Sequence, residues 1–150
     1  MASLADVLVR QLLDGRHIAS LATENPDSSI HMVAVWYWFD GTHVYVATSS
    51  RSRKARNLQS KPKVSLMIDA RDPAASYGIT IAGTAQIHRK HLSEAALSDA
   101  RVGPVFAAWD DVTIQIAPAS VIAWDMREAD RQFFGGVLGG NPAYLLPLLR

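Results

Sequence analysis

Residues Ile30 to Phe39 read Ile-His-Met-Val-Ala-Val-Trp-Tyr-Trp-Phe, and this run limits the fold more than any other part of the chain. Its β-branched and aromatic residues predict a strand. On a strand, alternate residues face opposite ways. Ile30, Met32, Ala34, Trp36 and Trp38 therefore share one face, and His31, Val33, Val35, Tyr37 and Phe39 the other. A strand with one wet face alternates between apolar and polar residues, whereas both faces here are mostly apolar. One face must enter a core. The other needs a second layer, a planar ligand or a partner subunit, and the remaining chain is short for a complete second layer.

The neighbouring segments extend this strand into a sheet. Asp40-Gly41 is a hairpin signal, so Thr42 to Thr48 should return antiparallel. Arg16 to Thr23 forms a strand before the turn-rich Glu-Asn-Pro-Asp-Ser-Ser. Val64 to Asp69 and Tyr77 to His88 follow, with Asp-Pro-Ala-Ala-Ser as a loop between them and Gly83 as a bulge. Val112 to Ala117 and Ser120 to Asp125 read as two strands separated around Pro118. Helical spacing is confined to three short pieces. Residues 3–14 carry Leu4, Val7, Leu8 and Leu12, with Ser3 as N-cap and Gly15 as stop. Ser52 to Ser60 precedes Pro62, and His91 to Ala100 is weakly helical. The glycine-paired end, about 130–150, is a tail or a docked helix. This order lacks regular strand–helix alternation, so the expected class is mainly β: an antiparallel barrel with a few short peripheral helices, as one domain over 1–150.

Composition narrows the functional classes. With 49% hydrophobic residues, a packed core is expected. The absence of cysteine rules out disulfides, thiolate nucleophiles and zinc–thiolate sites. No apolar run reaches the roughly 20 residues of a membrane span. Asp6 and Arg10 interrupt the N-terminal apolar pattern, unlike a secretory signal. A cytoplasmic location is the expectation, with no membrane partner. A net charge of +1 argues against a nucleic-acid coat.

That small net charge hides a local concentration. From Arg51 to Lys63 there are six cations and no acid, so the rest of the chain is a formal −5. The stretch Thr48-Ser49-Ser50-Arg51-Ser52-Arg53-Lys54-Ala55-Arg56 joins a strand end to a helix start. Free backbone N–H groups at a helix start favour an anion. Ser49, Ser50, Ser52, Arg53 and Lys54 could supply hydroxyls and cations to a phosphate. The segment can also be read as a nucleic-acid face or as a solvated helix face. The last has a cost, because Arg53 and Arg56 are like charges at i,i+3.

Protein-borne catalytic machinery is sparse. The histidines are scattered, and His88 with His91 straddles a strand–helix junction without a carboxylate, so a surface role is favoured over metal binding. There is no nucleophile elbow, Walker loop or Gly-x-Gly-x-x-Gly. Trp36, Trp38, Trp109 and Trp124 are candidates for core or interface. An anion site with apolar walls and no evident acid–base set suits a phosphorylated organic cofactor that carries its own chemistry.

On these residues the chain resembles the pyridoxamine 5′-phosphate oxidase-like family of flavin-binding split β-barrels. The resemblance runs from about Leu12 to Asp125. It is carried by Ile-Ala-Ser-Leu-Ala-Thr, His-Met-Val-Ala-Val-Trp-Tyr-Trp-Phe-Asp-Gly, Val-Tyr-Val-Ala-Thr and Ile-Ala-Gly-Thr-Ala-Gln-Ile. Most specific is Ser-Arg-Lys-Ala-Arg-Asn-Leu-Gln-Ser-Lys-Pro-Lys. It implies an FMN-binding split barrel and a homodimer with flavin sites between subunits. Arg53 and Lys54 would hold the cofactor phosphate, with Thr48, Ser49 and Ser52 adding hydroxyl or backbone contacts. His31, Met32, Val33 and Ala34 would run along the cofactor.

The chain departs from the family's oxidases, which commonly carry an arginine at His31, a lysine at Trp36 and a glutamine at Gly78. Their basic substrate-binding C-terminus is also not evident, so vitamin B6 oxidation is not expected. The Lys-Ala-Arg-Asn-Leu helix is similar to that of relatives using the deazaflavin coenzyme F-420. Its longer acidic tail could also engage Arg51 and Arg56. The expected function is hydride transfer between FMN, or alternatively the deazaflavin, and a small organic substrate. A non-enzymatic flavin or haem binder is the rival. His31 and Tyr37 are the available proton donors, with a structural role favoured for both.

Overall fold

The computed structural model describes residues 3–4, 6–15, 18–72, 75–89, 94–109 and 111–125. Along these residues run α1 (Val7–Gly15), β1 (Ile18–Glu24), β2 (Ile30–Trp36), β3 (Trp38–Phe39), β4 (Val44–Thr48) and α2 (Arg53–Ser60). Then come β5 (Lys63–Asp72), β6 (Ala75–His88), α3 (Glu94–Ser98), α4 (Gly103–Trp109) and β7 (Val112–Asp125). The expected tail or helix at 130–150, His91 and the Trp109 side chain lie outside what is described.

All pairings are antiparallel, in the order β2-β1-β5-β6-β7-β4-β3. The two ends of this order, β2 and β3, are separated in the chain by Tyr37 alone. Two peptide links cannot span more than about 7 Å. The sheet must therefore curl until its edges meet, giving the expected mainly β, barrel-like sheet with short helices outside it. The single strand expected over Ile30 to Phe39 is thus two strands broken at Tyr37, because each half pairs at a different edge.

The curled sheet encloses Leu21, Val35, Tyr37, Val46, Leu66, Ile68, Ile79, Ile81, Ile114 and Ile116, all buried. Each such aliphatic side chain contributes about 1.5–3 kcal/mol when removed from water. Val9, Leu12 and Leu13 of α1 and Leu58 of α2 join the same core. A smaller cluster, Ala96, Val102 and Phe106, packs on Trp38, Tyr45 and Ala47. The region of α3 and α4 thus forms a local second layer over β3 and β4. Helix α4 carried no clear signal in the sequence.

Three boundaries differ from expectation for identifiable reasons. α1 begins at Val7, because Asp6 starts the turn: its carbonyl accepts Arg10 N–H at 2.9 Å and its carboxylate accepts Ser3 N–H at 2.9 Å. The Asp-Pro-Ala-Ala-Ser loop shrinks, since Asp72 and Ala75 already pair. β7 passes through Pro118 without stopping: the register shifts between Ala82 and Gly83, and Ala119 is the extra residue. The bulge accommodates the missing proline donor. Gly83 permits it, because a Cβ there would lie 2.3 Å from the Ala117 carbonyl oxygen. The Asp40-Gly41 hairpin forms as expected, with Gly41 at φ 101° and the Asp40 carboxylate accepting Thr42 and His43 N–H at 2.8 and 2.7 Å.

Candidate functional site

The basic segment forms a tightly built turn between β4 and α2. Thr48 closes β4 with its side chain buried. Ser52 N–H donates to the Ser49 carbonyl at 2.9 Å, and Arg51 N–H donates to Ser49 Oγ at 3.1 Å. Ser52 is the N-cap, extended at φ −65° and ψ 149°, and its Oγ accepts Ala55 N–H at 3.3 Å. It also accepts the Thr48 hydroxyl at 3.3 Å. A serine hydroxyl has two acceptor sites and one proton. The Thr48–Ser52 hydroxyl pair shares one hydrogen bond, so one of its two protons has no acceptor among the described residues.

Around that proton the field is positive. The first turn of α2 holds no acid. Arg53 and Arg56 are exposed, whereas Lys54 is half-buried. Partial burial pushes the Lys54 ammonium below the ordinary lysine range. Among the described residues no carboxylate comes within 4 Å of Arg51, Arg53, Lys54 or Arg56 to form an ion pair. A partly desolvated cation and an unclaimed hydroxyl proton at a helix N-terminus suit a group that only accepts hydrogen bonds and carries negative charge. A phosphate has that character, so the residues fit the expected cofactor phosphate.

The opposite face of α2 fixes where this turn points. Ala55, Asn57 and Leu58 are buried. Asn57 Nδ2 donates to Thr23 Oγ1 at 3.0 Å and to Asn25 Oδ1 at 2.9 Å. Lys61 Nζ bonds Glu24 Oε1 at 2.8 Å and the Asn25 carbonyl at 3.1 Å. Both contacts tie α2 to the end of β1, and Thr23 there pairs with His31 of β2. The cradle and the His31 segment are linked through Asn57. Sequence reasoning missed this residue, although an asparagine on a helix's apolar side was the available signal.

The expected site residues divide into two groups. Thr48, Ser49, Ser52, Arg53 and Lys54 come together in one turn, with Arg56 one helical turn further along the exposed side. His31, Met32, Val33 and Ala34 arrive as a stretch of backbone rather than as a set of side chains. Among the described residues β2 pairs with β1 alone, and its other edge is unpaired. Met32 and Ala34 face out, while His31 and Val33 are half-buried on the other face. Ser50 does not join the cradle. Its N–H donates to Asp111 Oδ1 at 2.7 Å and its hydroxyl to Asp111 Oδ2. Nothing in the local pattern announced a partner 61 residues away. Tyr37 is structural: its buried hydroxyl donates to the Leu12 and Leu13 carbonyls, each at 3.0 Å. His88 meets Gln115 Oε1 at 2.8 Å. Among the described residues no three potential ligands cluster for a metal, and no helix is long and apolar enough to cross a membrane.

An apolar surface adjoins the His31 segment. Ile18, Ile30, Met32, Trp36 and Ile122 are exposed, Met32 by 65%. Beside them a groove of about 430 Å³ has small residues such as Ala22, Ser65, Ala82 and Ala119 in its lining, together with Glu24 and Lys63. Trp38 differs from the rest of its predicted face, being covered by Ala96, Val102 and Phe106.

A family profile described as pyridoxamine 5′-phosphate oxidase matches residues 6–131. No curated protein matches the chain. Among solved structures, a conserved hypothetical protein of Mycobacterium tuberculosis superposes with a TM-score of 0.68 at 22% identity, covering 85% of this chain and 88% of that one. The haem storage protein HutZ of Vibrio cholerae gives 0.63 at 19% identity, over 77% and 91% of the two chains. An F-420 reductase gives 0.59 at 19% identity, over 75% and 94%. At such identities these likenesses concern the fold.

Proposed function

The chain belongs to the pyridoxamine 5′-phosphate oxidase family, and from that premise we propose that it is an oxidoreductase using FMN at a homodimer interface. The observation that carries this reading is the donor set at the start of α2. One proton of the Thr48–Ser52 hydroxyl pair, the Arg53 guanidinium and the Lys54 ammonium have no acceptor of their own among the described residues. They would hold the terminal phosphate. The unpaired edge of β2, from His31 to Ala34, would lie along the rest of the cofactor, with backbone groups as partners. FMN supplies hydride transfer to or from a small organic substrate. The chain's own part is to bind the phosphate, orient the ring and exclude water. The exposed Ile30, Met32 and Trp36 would be covered by a second copy, whose approach closes the site.

One observation favours a second cofactor. Arg51 and Arg56 are further exposed cations that a single phosphate held by Arg53 and Lys54 does not need. An acidic tail such as that of coenzyme F-420 would use them, and a similar fold belongs to an F-420 reductase.

The deciding experiment is an absorbance spectrum of protein purified from a host that makes both coenzymes, with mass identification of the released molecule. A bound flavin or deazaflavin that turns over with a reductant is the expected result. Bound cofactor without turnover would indicate a carrier. Colourless protein that gives no fluorescence change with either coenzyme overturns the proposal.

A further inference from the structure

We infer that Asp111 is a positioning residue for the phosphate cradle and acts through Ser50; this rests on the phosphate reading of the α2 N-terminus. The turn from Ser49 to Ser52 is short, polar and exposed at Arg51, and apart from those of Ser50 its bonds stay within residues 48–56. Bonds of that kind close a turn but do not aim it relative to the sheet. Asp111 supplies the aim. Its two carboxylate oxygens take both donors of Ser50, the N–H at 2.7 Å and the hydroxyl. Two bonds from one planar group fix direction as well as distance. Asp111 immediately precedes β7, whose first residue, Val112, pairs with Thr48 at the end of β4. The carboxylate thus clamps the turn to the neighbouring strand at the point where the chain leaves the sheet. Asn57 and Lys61 secure α2 from the other side, against β1. The Ser52 hydroxyl oxygen and the Arg53 and Lys54 backbone N–H groups are then held in place before a ligand arrives.

A carboxylate so near an anion site would ordinarily oppose binding. Here its charge is directed into Ser50, and Arg51 adds a further favourable field; together these hold it below the usual carboxylate range. The same arrangement commits Ser50 to the scaffold rather than to the ligand, leaving the Thr48–Ser52 hydroxyl pair to donate.

The test compares FMN with riboflavin, which lacks the phosphate, by fluorescence titration of the full chain. Wild type should prefer FMN. In Asp111→Ala the FMN dissociation constant should rise about tenfold, the equivalent of one charge-assisted hydrogen bond. Riboflavin affinity should stay unchanged, so the ratio between the two falls. Ser50→Ala should lower the ratio similarly, and the double variant should lose no more than Asp111→Ala alone. If Asp111→Ala fails to fold, Ser50→Ala and Asp111→Asn give the same comparison. An unchanged FMN-to-riboflavin ratio in these variants, with wild type still preferring FMN, overturns the role of Asp111 alone. Equal wild-type affinity for both ligands overturns the phosphate reading, and the positioning role with it.

Discussion

The Tyr37 hydroxyl donates to the Leu12 carbonyl at 3.0 Å and shares its proton with the Leu13 carbonyl. The last carbonyls of a helix lack partners within it, and α1 ends at Gly15. Tyr37 is also the single residue between β2 and β3, where the two ends of the sheet meet. One fully buried side chain therefore joins barrel closure to helix termination. Tyr37→Phe keeps the ring but removes the donor from two carbonyls. We expect a loss of about 1–3 kcal/mol in urea unfolding with an unchanged m-value. FMN affinity of the folded protein should not change. A midpoint equal to wild type would mean that water satisfies those carbonyls.

Gly78 has no room for a side chain. A Cβ there would lie 2.6 Å from Trp124 Cζ2, 2.8 Å from Asp69 Cβ and 2.8 Å from the Ile68 carbonyl oxygen. Asp69 and Trp124 are its direct register partners in β5 and β7, so both neighbours crowd the same point. The family's glutamine cannot be restored at this position without moving backbone. Gly78→Ala should cost about 1–3 kcal/mol by overpacking, and Gly78→Gln more. Gly15→Ala is the control: nothing lies within 4 Å of its added methyl, and thermal unfolding should show no loss of stability.

The alternating burial of β1 and β4 was legible because their side chains divide between core and surroundings with period two. The turn at Asp40-Gly41 and the bulge at Gly83 were legible for the same local reason. The break at Tyr37 was not, because it follows from which edges meet, and its flanking residues are all good strand formers. Pro118 misled because a missing donor ends a regular strand, whereas the bulge at Ala119 in the same strand absorbs it. At the site, the Ser52 hydroxyl and the cations Arg53 and Lys54 were legible from their place between a strand end and a helix start, whereas the capping role of Ser52 was not. Asn57 and Asp111, which orient them, act across 34 and 61 residues, and local pattern does not encode a contact at that range.

Met32 tests the proposed subunit interface without touching the barrel interior. It is 65% exposed, faces away from the core and lies in the edge strand expected to run along the cofactor. A glutamate there costs little in a monomer, since the side chain stays in water. In an interface it buries an unpaired charge. We expect Met32→Glu to retain the far-ultraviolet circular dichroism of wild type, to sediment at monomer mass and to lose FMN affinity. A variant that remains dimeric would move the interface away from β2.

Lys54 gives the site a pH signature whose sign can be worked out. Burial lowers its pKa in the free protein relative to the unfolded chain. Below that lowered value the charged form costs stability, and stability rises with pH between the folded and unfolded values. A phosphate beside the ammonium has the opposite effect, raising the pKa in the complex. FMN binding at alkaline pH should therefore take up a proton, and affinity should fall as pH rises through the lowered lysine value. In Lys54→Arg the guanidinium keeps its charge throughout this range. Titrations from about pH 7 to about pH 10.5, near the ordinary lysine value, should show a declining affinity in wild type and a flatter profile in Lys54→Arg. Parallel profiles would assign the decline to another group and remove Lys54 from the phosphate contacts.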